Sequence, residues 1–401
     1  MPIFASQIIT AAYTSDIATD SLSLEALSET RQEIDEEFRT LVIPNGTERR
    51  AWAERIEATL DERDFSAARG YLLAAPLMLN KQDSAAVLAA ADAESSGSRD
   101  QRLARAALLF LPEELRASYQ RSTAPPPAPE PTPTDTDDES ETESTEASEP
   151  EADTPRATGN AVQLSPMDEP FAQQGSFFLL GDPADLTRRS QRWLAQEQVD
   201  SLQLRLRALG LMTQDDPSPE SQAVFEAASI LRAAHRAGRL NERFVRYLTS
   251  RVEDALPEDV LRAELVIAFE PVMTTEARTV EVLKAYETAL QPAARERLAS
   301  DMEIVARIAE LTSSSGAIRL VEQARTPEDM RRARLLSEAG GHRSVALARE
   351  LGPDVLGLAQ IGVKWSYGLA LQVMGLMALG MALVWTTLSA LTQAETIRFR
   401  S

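Results

Sequence analysis

From Ser23 onward, Leu24, Leu27, Ile34, Phe38 and Leu41 recur at three- and four-residue spacing, which builds one apolar stripe along a helix. Ile43-Pro44-Asn45-Gly46 interrupts it, because Pro lacks an amide hydrogen and Gly permits positive φ. Thr47 is placed to cap a second helix bearing Trp52, Ile56 and Leu60. Further helices are expected at about 64–79, 83–94 and 98–120, with Pro76 kinking or ending the first of them. Pro112 opens a new turn, and Glu113 and Glu114 there suit the helix dipole. Ala67, Ala68, Gly70, Ala74 and Ala75 allow neighbouring helices to approach closely. The run Ile56–Ala93 has a helix–turn–helix texture, yet no period of about 34 residues emerges.

The same 3.6-residue pattern returns after residue 182 with dense punctuation. One helix is expected from about Asp185 to Leu209, stopping at Gly210. Ser218-Pro219-Glu220 starts the next, which stops near Gly238. Asn241, Pro257-Glu258-Asp259, Thr275, Pro292 and Thr326-Pro327-Glu328-Asp329 mark later starts, and Gly340-Gly341 and Gly352-Pro353 the last breaks. Phe177-Phe178-Leu179-Leu180 reads as an entry segment packing on the bundle, with a short strand as the alternative. The expected fold class is therefore all-α, with an N-terminal helical domain (1–121) and a second helical domain (176–362).

Between them, residues 122–175 read as a disordered, acidic, Pro-rich linker. Six prolines fall between Pro125 and Pro133, and Glu130–Asp153 holds 11 acidic residues and no basic one. With almost no aliphatic side chains, ordering this stretch would cost chain entropy without compensating burial. It reads as a solvated spacer that sets how far the N-terminal domain can search, or as a lure for a basic partner.

Near the C-terminus, 30 consecutive uncharged residues separate Lys364 from Glu395. About 20 apolar residues at 1.5 Å each cross a hydrocarbon core of roughly 30 Å, so 365–393 is expected to be a single transmembrane helix, followed by a short tail (394–401). Trp365, Tyr367 and Trp385 are candidate interface anchors. Gly368, Gln372, Gly375, Ala382, Thr386 and Ser389 share one heptad-like row. That row is a candidate face for self-association in lipid, and hence for a homo-oligomer. Flanking positive charges nearly balance and do not set orientation. Residues 2–13 lack a basic n-region and a long apolar h-region, so the bulk of the chain is expected to stay cytoplasmic, as in a tail-anchored protein. The many Arg and few Lys, high Ala content and absence of Cys fit a bacterial source, which makes the expected location the inner membrane.

Charge and composition narrow the chemistry. Over 401 residues the formal net charge is −21, against the basic face that nucleic-acid binding needs. Without Cys there are no disulfides, thiolate nucleophiles or Cys-based metal sites, and two histidines, His235 and His342, are too few for a multi-His centre. No phosphate loop, G-x-S-x-G elbow or H-E-x-x-H occurs. No catalytic, cofactor-binding or metal-ligating residue is singled out, so an enzyme would need a site assembled from scattered residues. Leu202-Gln203, Arg205-Leu206, Ala208-Leu209-Gly210-Leu211, Ser221 and Ala223-Val224 resemble the small helical peptidoglycan-binding domain of cell-wall hydrolases. The resemblance implies an envelope glycan ligand. That family has an Asp-Gly-x-Phe-Gly turn where this chain has Gln214-Asp215-Asp216-Pro217. The expected role is a non-enzymatic membrane-tethered scaffold or adaptor, with envelope peptidoglycan binding as the alternative.

Overall fold

Short polar side chains set most of the helix starts. Ser23, Asp64, Asn80 and Ser98 each accept a first-turn backbone N–H and begin α1 (Leu24–Thr40), α3 (Phe65–Leu73), α5 (Lys81–Ala93) and α6 (Arg99–Leu108). A cap of this kind is worth ~1 kcal/mol. α2 (Glu48–Asp61) follows Thr47, whose side chain makes no capping bond. Pro76 lies in the first turn of the four-residue α4 (Ala75–Met78), so it ends the preceding helix rather than kinking it. α7 is Glu113–Thr123.

The second run repeats the device. Asp182, Asp200, Ser218, Asn241, Thr274, Ser313 and Thr326 cap α8 (Pro183–Leu194), α9 (Ser201–Thr213), α10 (Pro219–Arg236), α11 (Glu242–Ala255), α13 (Thr275–Ala289), α15 (Ser314–Gln323) and α16 (Pro327–Gly340). α12 (Glu258–Phe269), α14 (Pro292–Thr312) and α17 (His342–Leu351) start without a side-chain cap. A 3₁₀ segment, Gly352–Leu358, follows.

This computed structural model describes residues 23–42, 46–123 and 182–359, which are all-α and contain no strand. The acidic stretch 130–153, the entry segment 177–180, the expected membrane helix 365–393 and the tail lie outside the described residues. Among the described residues no helix is long and apolar enough to cross a membrane.

Two expected elements differ. The single helix expected over 185–209 is two, because Gln196 takes φ 59° and Asp200 starts α9 afresh. Gly210 does not stop α9, which runs on to Thr213 with Gly210 buried inside it. α14 also ends where no Pro or Gly marks the sequence, at Ser313 with φ 98°.

The two helical runs share one continuous apolar core. α3 lies along α17, and α1 lies on α16. Gly70 permits the first contact: a Cβ there would stand 2.2 Å from the His342 carbonyl oxygen and 2.8 Å from Ala346 Cβ. Gly340 does the same on α16, where a Cβ would meet Ile34 Cδ1 at 2.8 Å. Polar bonds stitch the same seam. Arg31 Nε donates to the Ala339 carbonyl at 3.1 Å, Asp35 pairs with Arg343 at 2.5 Å, Asp64 with Arg319 at 2.8 Å and Glu62 with Arg349 at 2.7 Å. The fully buried Trp52 donates Nε1–H to the Tyr71 carbonyl at 2.8 Å. Tyr71 meets Phe38 edge-on at 6.4 Å, and its hydroxyl donates to Glu350. The N-terminal helices α1 and α3 are thus docked on α16 and α17.

Candidate functional site

A serine and a histidine meet in the seam between α3 and α17. Ser66 Oγ lies 3.0 Å from His342 Nδ1 and 2.8 Å from the Thr312 carbonyl oxygen. The carbonyl can only accept, so the hydroxyl proton points to it and the imidazole donates Nδ1–H to the serine oxygen. A nucleophilic serine needs the reverse, with the imidazole taking the hydroxyl proton. Burial, with Arg69 nearby, pulls the His342 pKa down to about 3 and keeps the ring neutral. The nearby carboxylate, Asp64, is committed to Arg319 and to the α3 cap. Ser66 and His342 therefore serve as a buried polar clasp.

One carboxylate stands apart electrically. Burial raises the pKa of Glu226 on α10 to about 7, and Glu310 on α14 adds to the effect. A general acid needs such a value, but it also needs a cleft for its substrate, and Glu226 does not line the pocket described next. Among the described residues no group of three or more His, Asp or Glu could hold a metal ion. His235 Nε2 instead pairs with Asp200 at 2.8 Å, a contact that ties α10 to the start of α9.

A pocket of about 360 Å³, counting its open mouth, lies among α10, α11, α14 and α16. Leu231, Phe244, Leu298, Met302 and Met330 give it apolar walls. Its polar edge is Asp301, which accepts from Tyr247 at 2.6 Å and from Arg251 at 3.1 Å. Arg251 also donates to the Tyr247 hydroxyl at 2.9 Å. Burial and the Asp301 bond push the Tyr247 pKa up, so the phenol stays protonated. With its polar groups engaged with one another, this pocket suits an apolar side chain better than acid–base chemistry.

The α12–α13 hairpin carries the densest exposed apolar surface. Val266, Ile267, Val272 and Val280 are all exposed within it, with Val272 fully so. The other large exposed apolar side chains among the described residues, Leu24, Leu88 and Leu109, are scattered along the first run. Clustered exposed apolar groups mark contact surfaces more than isolated ones do.

The candidate packing row Gly368, Gln372, Gly375, Ala382, Thr386 and Ser389 and the anchors Trp365, Tyr367 and Trp385 lie outside the described residues. The helix behind the peptidoglycan-domain resemblance, α9, is buried at Leu202 and throughout 204–211, which leaves little of it to face a glycan. Comparison with known protein families, with characterised proteins and with solved structures finds no match for this chain. Sequence reasoning missed the hairpin patch, although Val266-Ile267 side by side at a helix end was a usable sign. The Ser66–His342 clasp had no local signal.

Proposed function

We propose that this chain is a non-enzymatic scaffold, anchored at a bacterial inner membrane by the segment 365–393, with its folded helices on the cytoplasmic side. The observation behind this reading is the run of 30 uncharged residues between Lys364 and Glu395, which begins just after the last described residue, Ala359. Docking of α1 and α3 on α16 and α17 supports it, because the helices nearest the anchor then hold the whole folded body close to the bilayer. Anchoring confines the body to a thin layer and raises its effective concentration toward membrane partners. The α12–α13 patch and the apolar pocket are the surfaces offered to a protein partner. Within the bilayer, the small-residue row from Gly368 to Ser389 is the proposed self-association face.

Fractionation of the full chain against a chain ending at residue 362 tests the anchor. The full chain should remain in carbonate-washed membranes and the shorter one should leave them. A full chain that washes off as a monomer would refute the reading. Protease added to intact spheroplasts separates the two sides of the membrane. Protection of residues 1–364 fits the scaffold, whereas digestion from outside would favour the envelope glycan alternative.

A further inference from the structure

α8, α9 and α10 bring an unusual concentration of arginine together. Asp185 on α8 receives three guanidinium groups: Arg189 Nε at 2.9 Å, Arg188 Nη2 at 3.5 Å, and Arg207, reaching across from α9. Burial alone would raise the Asp185 pKa, but the bonds from Arg207 and Arg189 outweigh it and hold the carboxyl below its ordinary range. A further guanidinium, Arg232 on α10, is 5% exposed. Among the described residues its Nε has no hydrogen-bond partner and Arg232 forms no ion pair. Of the charges acting most strongly on Arg232, Arg207, Arg189 and Arg236 are cationic and Asp185 alone is anionic.

That arrangement is costly as it stands. A buried cation without its own counterion loses hydration and gains little in return. Burial first, and the neighbouring arginines second, lower the Arg232 pKa to about 10, so it still carries its charge at neutral pH. The Nε of Arg207 likewise lacks a partner, with that residue 4% exposed. Around the two buried groups the arginines become progressively more accessible: Arg189 is half-exposed and Arg236 exposed. All this sits in a chain whose net charge is −21.

We infer that Arg207, Arg232, Arg189 and Arg236 form a binding site for a phosphate-type oxyanion, in which Arg232 is the group that the protein leaves for the ligand to pair. A planar guanidinium matches a tetrahedral oxyanion through two parallel hydrogen bonds. Asp185 holds the side chains in place and occupies part of their positive field. This inference does not rest on the membrane reading.

Calorimetric titration of the full chain in mild detergent with inorganic phosphate tests it. Wild type should bind one phosphate saturably and gain melting temperature with it, since a ligand that binds only the folded state stabilises that state. Arg232→Gln should weaken binding at least about tenfold, the loss expected for a charge-assisted hydrogen bond of ~1.5–3 kcal/mol. Arg236→Gln, at an exposed position, should weaken it several-fold while leaving the melting temperature without phosphate unchanged. Asp185→Asn should tighten it, because the competing internal carboxylate is gone. Adding phosphatidylglycerol to the micelles separates sources: displacement of phosphate assigns the same site to a lipid headgroup, and undiminished binding assigns it to a soluble phosphate. No saturable binding by folded wild type at 10 mM phosphate (about the upper limit of a useful site, ~2.7 kcal/mol) overturns the inference. So does equal binding by wild type, Arg232→Gln and Arg236→Gln.

Discussion

Replacing Gly70 with Ala sets two effects of opposite sign against each other. Gly70 lies inside α3, where Gly→Ala gains about 0.5–1 kcal/mol of helix stability if nothing else changes. In the seam, the new Cβ would stand 2.2 Å from the His342 carbonyl oxygen and 2.9 Å from its carbonyl carbon, against ordinary contact from 3.4 Å. Relief needs a shift of about 1.2 Å between two helix backbones, since neither contact is with a flexible side-chain end. Overpacking of this kind costs roughly 1–3 kcal/mol and more when backbone must move. Displacement of α3 would also loosen the pairs Glu62–Arg349 and Asp64–Arg319. The expected net effect is a loss of about 2 kcal/mol, or roughly 4–8 °C in the thermal midpoint of the full chain in detergent. A second readout uses the absence of native cysteine. A Glu62→Cys, Arg349→Cys pair should be joined by a short bismaleimide in wild type background, and more slowly with Gly70→Ala present. A midpoint that rises with Gly70→Ala, together with no cross-link in either background, would show that α3 and α17 do not pack as described.

Glu226 has a folded pKa of about 7 against 4.5 when free, so its contribution to stability is complete below pH 4.5 and lost as pH rises through 7. Denaturant midpoints of Glu226→Gln and wild type should therefore diverge across that window at up to ~1.4 kcal/mol per pH unit, with the acid-side slope from His342 common to both; parallel curves would contradict this. Tyr71→Phe leaves Glu350 with Arg55 alone and should cost ~1–2 kcal/mol in urea unfolding. Deleting Glu130–Asp153 should leave the unfolding midpoint within ~0.5 kcal/mol, because loop length enters closure entropy only logarithmically. In a membrane two-helix reporter, Gly375→Leu should reduce association of 365–393, and unchanged signal there and with Gln372→Leu would indicate a monomeric anchor.

Helix class and most helix starts were readable because their causes are local. Ser218-Pro219, Asn241 and Thr326 with Asp329 each act within one turn, and the Thr326–Asp329 pair forms the full reciprocal cap. The break at Ser313 and the turn at Gln196 escaped because neither uses Pro or Gly, and both depend on what packs around them. The seam escaped for a different reason. Its closest approaches are at Gly70, Gly340, Ala346 and Ser66, small residues that barely register in a hydrophobic pattern, and its partners lie far apart in the chain, with Arg31 reaching Ala339 across 308 positions. The arginine cluster was hidden too, since Arg207 follows Leu206 as it would on a solvated face and Arg232 follows Leu231, yet both arginines are buried.

Gly70 and His342 are 272 positions apart in the sequence. At a synthesis rate of about 5–20 residues per second, the ribosome needs roughly 14–54 s to deliver the second after the first. Throughout that interval the nascent N-terminal helices expose the face meant for α17, and nothing already made can cover it. Completion of this face therefore waits on α17, and a chaperone that shields Tyr71 and its neighbours would act on nearly every copy.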